Sequence, residues 1–192
     1  MTAIIAIDPG KHGAIATLID GRYNVWDIPT MTIVTDKGKS LKKSVEYDIP
    51  ELHSLLVSLV CVVRRIEPTY AVVERAEAIS YAASDARGVY RNSMQTNFDK
   101  GRGYGIIEAL LQINGIPIIA SPRPSTWKRA LDLTDRGASY ADKKEASRLK
   151  ALELHPDLEH LLSRKKDDGR AEALLLIEWL ELQVSKGKIT LL

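Results

Sequence analysis

The feature that most constrains this chain is the punctuation of its first thirty residues. Three short β-rich runs, Ala3–Ile7, Gly13–Ile19 and Tyr23–Ile28, are separated by Asp8-Pro9-Gly10 and Asp20-Gly21. Pro-Gly and Asp-Gly between such runs form tight connections, so the spacing predicts a three-stranded antiparallel meander. A sheet that begins this way must be covered, and the sequence that follows supplies helices to cover it. Leu52, Leu55, Leu56, Leu59, Val60 and Val63 recur at three-and-four spacing and predict an amphipathic helix over 49–66, with Asp48 as its cap, Pro50 in its first turn and Pro68 closing it. Tyr70–Val73 reads as a short strand ending on Glu74, 104–114 as a second helix, and Pro117–Ala120 as a further strand. Pro122 and Pro124 break the chain before a short helix around 127–131, and helices over about 140–154 and 168–184 complete it. The polar stretch 30–48, with Lys37, Lys39, Lys42 and Lys43, is expected to be a basic insertion, either a mobile loop or an extended hairpin. The expected fold is α/β: a mixed sheet, an antiparallel meander plus parallel strands, flanked by helices in one domain over 1–192.

Composition narrows the function classes. A chain of 192 residues that is 45% apolar and 27% charged can bury one sizeable core and is neither disordered nor fibrous. It has no apolar run long enough to span a bilayer and no leader ahead of Ile4-Ile5-Ala6-Ile7, so a cytoplasmic protein with no membrane partner is expected. The lone Cys61 lies in Leu59-Val60-Cys61-Val62-Val63 and is expected to be a buried, inert thiol, which argues against a thiol enzyme. A net charge of +2 is too small to indicate nucleic acid by itself, so only the distribution of charge can do so.

Chemistry is carried by carboxylates. Asp8 directly follows one apolar strand and Glu74 another, the position where open α/β sheets place ligands. Near the other end, Lys165-Lys166-Asp167-Asp168-Gly169-Arg170-Ala171-Glu172 leads into five apolar residues. Residues four apart share a helix face, so Asp168 and Glu172 can point together, whereas Asp167 is turned away by about 100° and remains the alternate. A carboxylate in so apolar a helix needs a positive neighbour. Two like charges about 4 Å apart repel by roughly 4 kcal/mol at an effective dielectric near 20, and divalent cations relieve this. Oxygen ligands without a Cys/His cluster favour Mg²⁺ or Mn²⁺ over zinc, and two ions can serve phosphodiester hydrolysis. Each acid taken separately also has an ordinary reading: a turn at Asp8, a helix cap at Asp168, a salt bridge from Glu172 to Arg170 or another cation.

Ile4-Ile5-Ala6-Ile7-Asp8-Pro9-Gly10, Ala71-Val72-Val73-Glu74 and Asp168-Gly169-Arg170-Ala171-Glu172-Ala173-Leu174-Leu175 together resemble, in order, the RuvC-type Holliday junction resolvases of the RNase H-like superfamily. Pro124-Ser125-Thr126-Trp127-Lys128 followed by Asp142-Lys143-Lys144-Glu145 is more similar to the phage and organellar branch than to the bacterial one, which allows a phage-encoded protein working in a host cytoplasm. The resemblance implies that Asp8, Glu74, Asp168 and Glu172 are metal-binding catalytic residues, serving a Mg²⁺-dependent endonuclease with two ions per site. It departs from the bacterial pattern at the end, where the last acidic pair is four apart, not three, and finishes on Glu. It also implies branched DNA as substrate and a homodimer, since two symmetric nicks need two-fold symmetry.

Charge placement adds candidate DNA contacts. Arg87, Arg91, Lys100 and Arg102 are interleaved with Tyr81, Tyr90, Phe98 and Tyr104, which suits phosphate contact with base stacking. Lys39, Lys42 and Lys43 in the insertion, and Lys128, Lys143 and Lys144 later, complete the set. His12 reads as a surface turn residue. The competing functions are a broader debranching or flap nuclease, a non-catalytic DNA-binding protein, and an actin-like or sugar-kinase ATPase. The last needs two such domains, more than this length supplies.

Overall fold

The computed structural model describes residues 3–36, 41–63, 68–77, 94–133 and 137–191. Five strands form one mixed sheet: β1 (Ala3–Ile7), β2 (Ala14–Ile19), β3 (Arg22–Asp27), β6 (Thr69–Val73) and β7 (Ile118–Ala120), in the order β3-β2-β1-β6-β7. The expected meander is present, with β1–β2 and β2–β3 antiparallel, and β6 and β7 add in parallel to β1. Asp20 and Gly21 both adopt positive φ in the two-residue turn between β2 and β3, which is why that turn uses this pair.

Alternation along β1 divides the core. Ile5 and Ile7 face α1 (Ile49–Val63) and α2 (Met94–Ile113), with Leu52, Leu56, Ile107 and Leu111 fully buried there. Ile4 and Ala6 face the opposite side, where Ala14 and Ala16 keep the surface shallow enough for α5 (Asp168–Ser185) to lie directly on the sheet. That explains why α5 is apolar nearly all round: Leu174, Leu175, Leu176 and Ile177 are sealed between the sheet and α3 (Pro124–Ala130) and α4 (Tyr140–Leu154). Each fully buried side chain of this kind contributes roughly 1.5–3 kcal/mol.

Of the two forms expected for the insertion, the structure has the hairpin, β4 (Thr30–Asp36) paired antiparallel with β5 (Leu41–Tyr47). Elsewhere it departs from the sequence expectations. Helix α2 starts at Met94, ten residues before the apolar pattern suggested. Its first twelve residues carry Gly101, Gly103 and Gly105, which weaken helix propensity, and Gly103 packs against Tyr47. Cys61 is exposed, because at 100° per residue it falls on the face of α1 opposite Leu52, Leu56 and Leu59, beside Val62, which is 58% exposed. Asp48 does cap α1, its Oδ1 accepting from the Glu51 amide at 3.1 Å. Among the described residues, no helix is long and apolar enough to cross a membrane.

Candidate active site

Parallel pairing of β1 with β6 sets Ile7 beside Val73, and the Glu74 amide donates to the Ile7 carbonyl at 2.9 Å. Asp8 and Glu74 therefore leave adjacent strands at the same end, one residue past that pair. The turn after β1 is built from local bonds: the Asp8 amide donates to Ala14 O (3.0 Å), Gly13 N to Gly10 O (2.9 Å), and Gly10 N to Asp8 Oδ1 (3.2 Å). Against this turn sits the first turn of α5. A Cβ at Gly169 would collide with the His12 carbonyl, so glycine here is what lets Asp168 and Glu172 reach the strand ends. His12 itself is exposed, as expected.

Two lysines are drawn into the same place. Lys128 of α3 contacts Glu172 Oε1 at 2.6 Å; Lys144 of α4 contacts Asp168 Oδ2 at 2.6 Å and Glu172 Oε2 at 3.3 Å. Ser147 Oγ lies 3.3 Å from Glu172 Oε1, and Trp127, fully buried, donates its indole N–H to Glu74 Oε2 at 2.6 Å. Arg170 is not the partner of Glu172; it forms a bidentate pair with Asp27 at 2.6 and 2.7 Å. Asp167 is turned away as the helix geometry requires, buried and bound by the Arg164 guanidinium at 2.6 Å.

The electrostatics follow from this crowding. Burial, and after it the Glu172 charge, push the Asp8 carboxyl up to about 6. Burial, then Asp8 and then Glu172, push Glu74 up to about 8. Burial also works against the Glu172 charge, but Lys128 and Lys144 overcome it and hold that carboxyl below its ordinary value. Burial opposes the Lys144 charge too, and Glu172, Asp168 and Asp8 override it, keeping the ammonium protonated. Four carboxylates face two ammonium groups, leaving two negative charges uncompensated if all ionise. The donor chemistry of Asp8, Glu74, Asp168 and Glu172 fits a hard divalent cation of that charge. Among the described residues no three His, Cys, Asp or Glu side chains are gathered tightly enough to form a metal cage. Lys128 and Lys144 lie against the Asp168 and Glu172 oxygens that such a cage would use.

Of the candidate DNA contacts, Lys42 and Lys43 are exposed on β5, Lys100 on α2 and Lys143 on α4. Arg102 is exposed but engaged with Glu46 at 2.7 Å. Lys128 and Lys144 belong to the carboxylate cluster instead of an outlying basic face. Lys39, Tyr81, Arg87, Tyr90 and Arg91 lie outside the described residues. Trp127 was not singled out from sequence; its place beside Lys128 in Pro124–Lys128 was the available signal. Ser147, three residues after Lys144, shares its helix face.

No protein-family model and no curated protein matches this sequence. A solved structure, T. thermophilus RuvC in complex with Holliday junction substrate, aligns over 100% of this chain and 100% of its own, at 15% identity and a TM-score of 0.50. The fold is RNase H-like. At that identity the likeness establishes architecture alone.

Proposed function

We propose that this protein is a metal-dependent, structure-specific endodeoxyribonuclease that resolves four-way DNA junctions by paired symmetric phosphodiester hydrolysis. The observation that carries the reading is the convergence of Asp8, Glu74, Asp168 and Glu172, from both ends of the chain, at one end of the central strands of an RNase H-like sheet. The chain's sequence motifs and the RuvC likeness support the same reading. So does the charge deficit in the site, which calls for added positive charge.

The four carboxylates would hold Mg²⁺ or Mn²⁺. Bound there, such an ion would supply an activated water and neutralise charge on the phosphate. Trp127 fixes the orientation of Glu74 through its indole N–H. Lys128 and Lys144 keep Glu172 ionised, and their ammonium groups offer contacts to a phosphate entering the cluster. One divalent ion balances the site by itself; a second is balanced once an anionic phosphate and hydroxide are present, which supports two ions per site in the substrate complex. The exposed lysines of β5, α2 and α4 supply the non-specific phosphate contacts. A two-fold homodimer follows from the substrate, whose two equivalent strands must be cut alike. The Pro124–Lys128 and Asp142–Glu145 segments favour the phage and organellar branch and a cytoplasmic setting.

The test is incubation with Mg²⁺ or Mn²⁺ and labelled four-way junction, fork, flap, RNA–DNA hybrid and linear duplex. Paired symmetric nicks in the junction are expected, lost in Asp8→Asn while binding persists. Cleavage of the hybrid alone would replace the reading with a ribonuclease. Flap or fork cleavage matching the junction would broaden it to a general debranching enzyme.

A further inference from the structure

The last two residues of the hairpin β4–β5, Glu46 and Tyr47, both reach the turn that carries Asp8. Tyr47 is buried at 4% exposure, and its hydroxyl donates to the Pro9 carbonyl at 2.8 Å, one residue past Asp8. Glu46 forms ion pairs with Lys11 of the same turn at 3.3 Å and with Arg102 of α2 at 2.7 Å. Next to Arg102, Gly103 is buried so closely against Tyr47 that a Cβ would overlap the phenol oxygen and come within 3.0 Å of the Pro9 carbonyl. The Lys11 ammonium also lies 5.9 Å over the Tyr47 ring. Three elements distant in sequence thus close on one point: residues 9 and 11 of the turn, 46 and 47 of the hairpin, and 102 and 103 of α2.

We propose that Glu46 and Tyr47 are positioning residues for the catalytic turn, clamping the backbone on which Asp8 is mounted to the hairpin and to α2. The inference rests on the nuclease reading above. Local bonds fix the shape of the turn itself, but its orientation relative to Glu74 and Glu172 depends on what holds it from outside. The Pro9 carbonyl supplies the handle. The hairpin's outer part bears exposed Lys42 and Lys43, so the same clamp makes the DNA-facing arm and the Asp8 turn one rigid unit. Neither Glu46 nor Tyr47 would touch the reacting atoms.

Tyr47→Phe removes the hydroxyl and nothing else, and metal binding without DNA is the discriminating readout. Calorimetric titration of the full, DNA-free chain with Mn²⁺ should show half-saturation raised about three- to tenfold, the range for one lost buried hydrogen bond. The cleavage rate at saturating junction should fall by a similar factor, while the junction dissociation constant stays within twofold of wild type. Wild-type Mn²⁺ half-saturation in a folded Tyr47→Phe protein overturns the assignment. Should that variant fail to fold, as judged by its circular dichroism melt, Glu46→Gln decides by the same criterion. A wild-type chain that binds Mn²⁺ yet cuts no DNA would overturn the nuclease reading and leave the Mn²⁺ comparison able to judge the clamp. Absence of Mn²⁺ binding by wild type would overturn both.

Discussion

Replacing Glu74 by glutamine should abolish cleavage and, at alkaline pH without metal, make the protein more stable. The Glu74 carboxyl is pushed from 4.5 to about 8, chiefly by burial and then by Asp8 and Glu172. The folded state therefore binds the Glu74 proton more tightly than the unfolded chain does. Between those two values the native protein carries more protons than the unfolded one, so each rise of one pH unit weakens folding by about 1.4 kcal/mol. Across the whole window this approaches roughly 4–5 kcal/mol, and relaxation of the neighbouring charges brings the working figure to about 2–4 kcal/mol at pH 8. Glutamine is uncharged throughout, and its amide oxygen can still accept the Trp127 N–H, so the substitution removes the charge with little other loss. For a chain of this size, Glu74→Gln in EDTA should melt about 5–12 °C above wild type at pH 8. The gap should close as pH falls to and below 4.5, the unfolded-state value, where the wild-type side chain becomes protonated in both states. Differential scanning calorimetry across pH 4.5–8.5 measures it. Equal melting temperatures at pH 8, or a gap that does not narrow on acidification, would refute the electrostatic account of the site. Added Mg²⁺ should stabilise wild type more than the variant, because the ligand binds only the folded site.

Other substitutions probe separate links. Asp168→Asn should abolish junction cleavage with binding retained. Asp167→Asn should still cut, but unfold about 1–3 kcal/mol more easily because it disrupts a buried charged bond to Arg164. Burial opposes the Asp167 charge and the Arg164 contacts outweigh it, so its carboxyl sits below the ordinary 3.8. Its contribution is present above that value and disappears as pH falls through the lower folded one, so acid melts of Asp167→Asn and wild type should converge. Gly169→Ala drives a methyl into the His12 carbonyl and should cost about 1–3 kcal/mol, with activity falling as α5 is pushed off the Asp8 turn. Lys43→Ala should lower the slope of log affinity against log salt by about 1, leaving the rate at saturating DNA unchanged.

Local sequence chemistry determined a good deal. The Asp20-Gly21 turn, the alternation of β1 and the three-and-four spacing of α1 each act within a few residues, so the meander, the first helix and the strand-end positions of Asp8 and Glu74 could be read directly. The helix repeat likewise separates Asp168 from Asp167, whose side chains pair with Lys144 and Arg164 respectively. Tertiary contact decided what periodicity cannot encode. Gly103 of α2 fits beneath Tyr47 of β5, a contact between segments more than fifty residues apart that no local pattern signals. Lys128 and Lys144 look like any surface lysines in sequence. Their role comes from a buried Glu172 that no residue nearby in the chain can neutralise, so charge had to be brought from α3 and α4, whose position only the packed structure fixes.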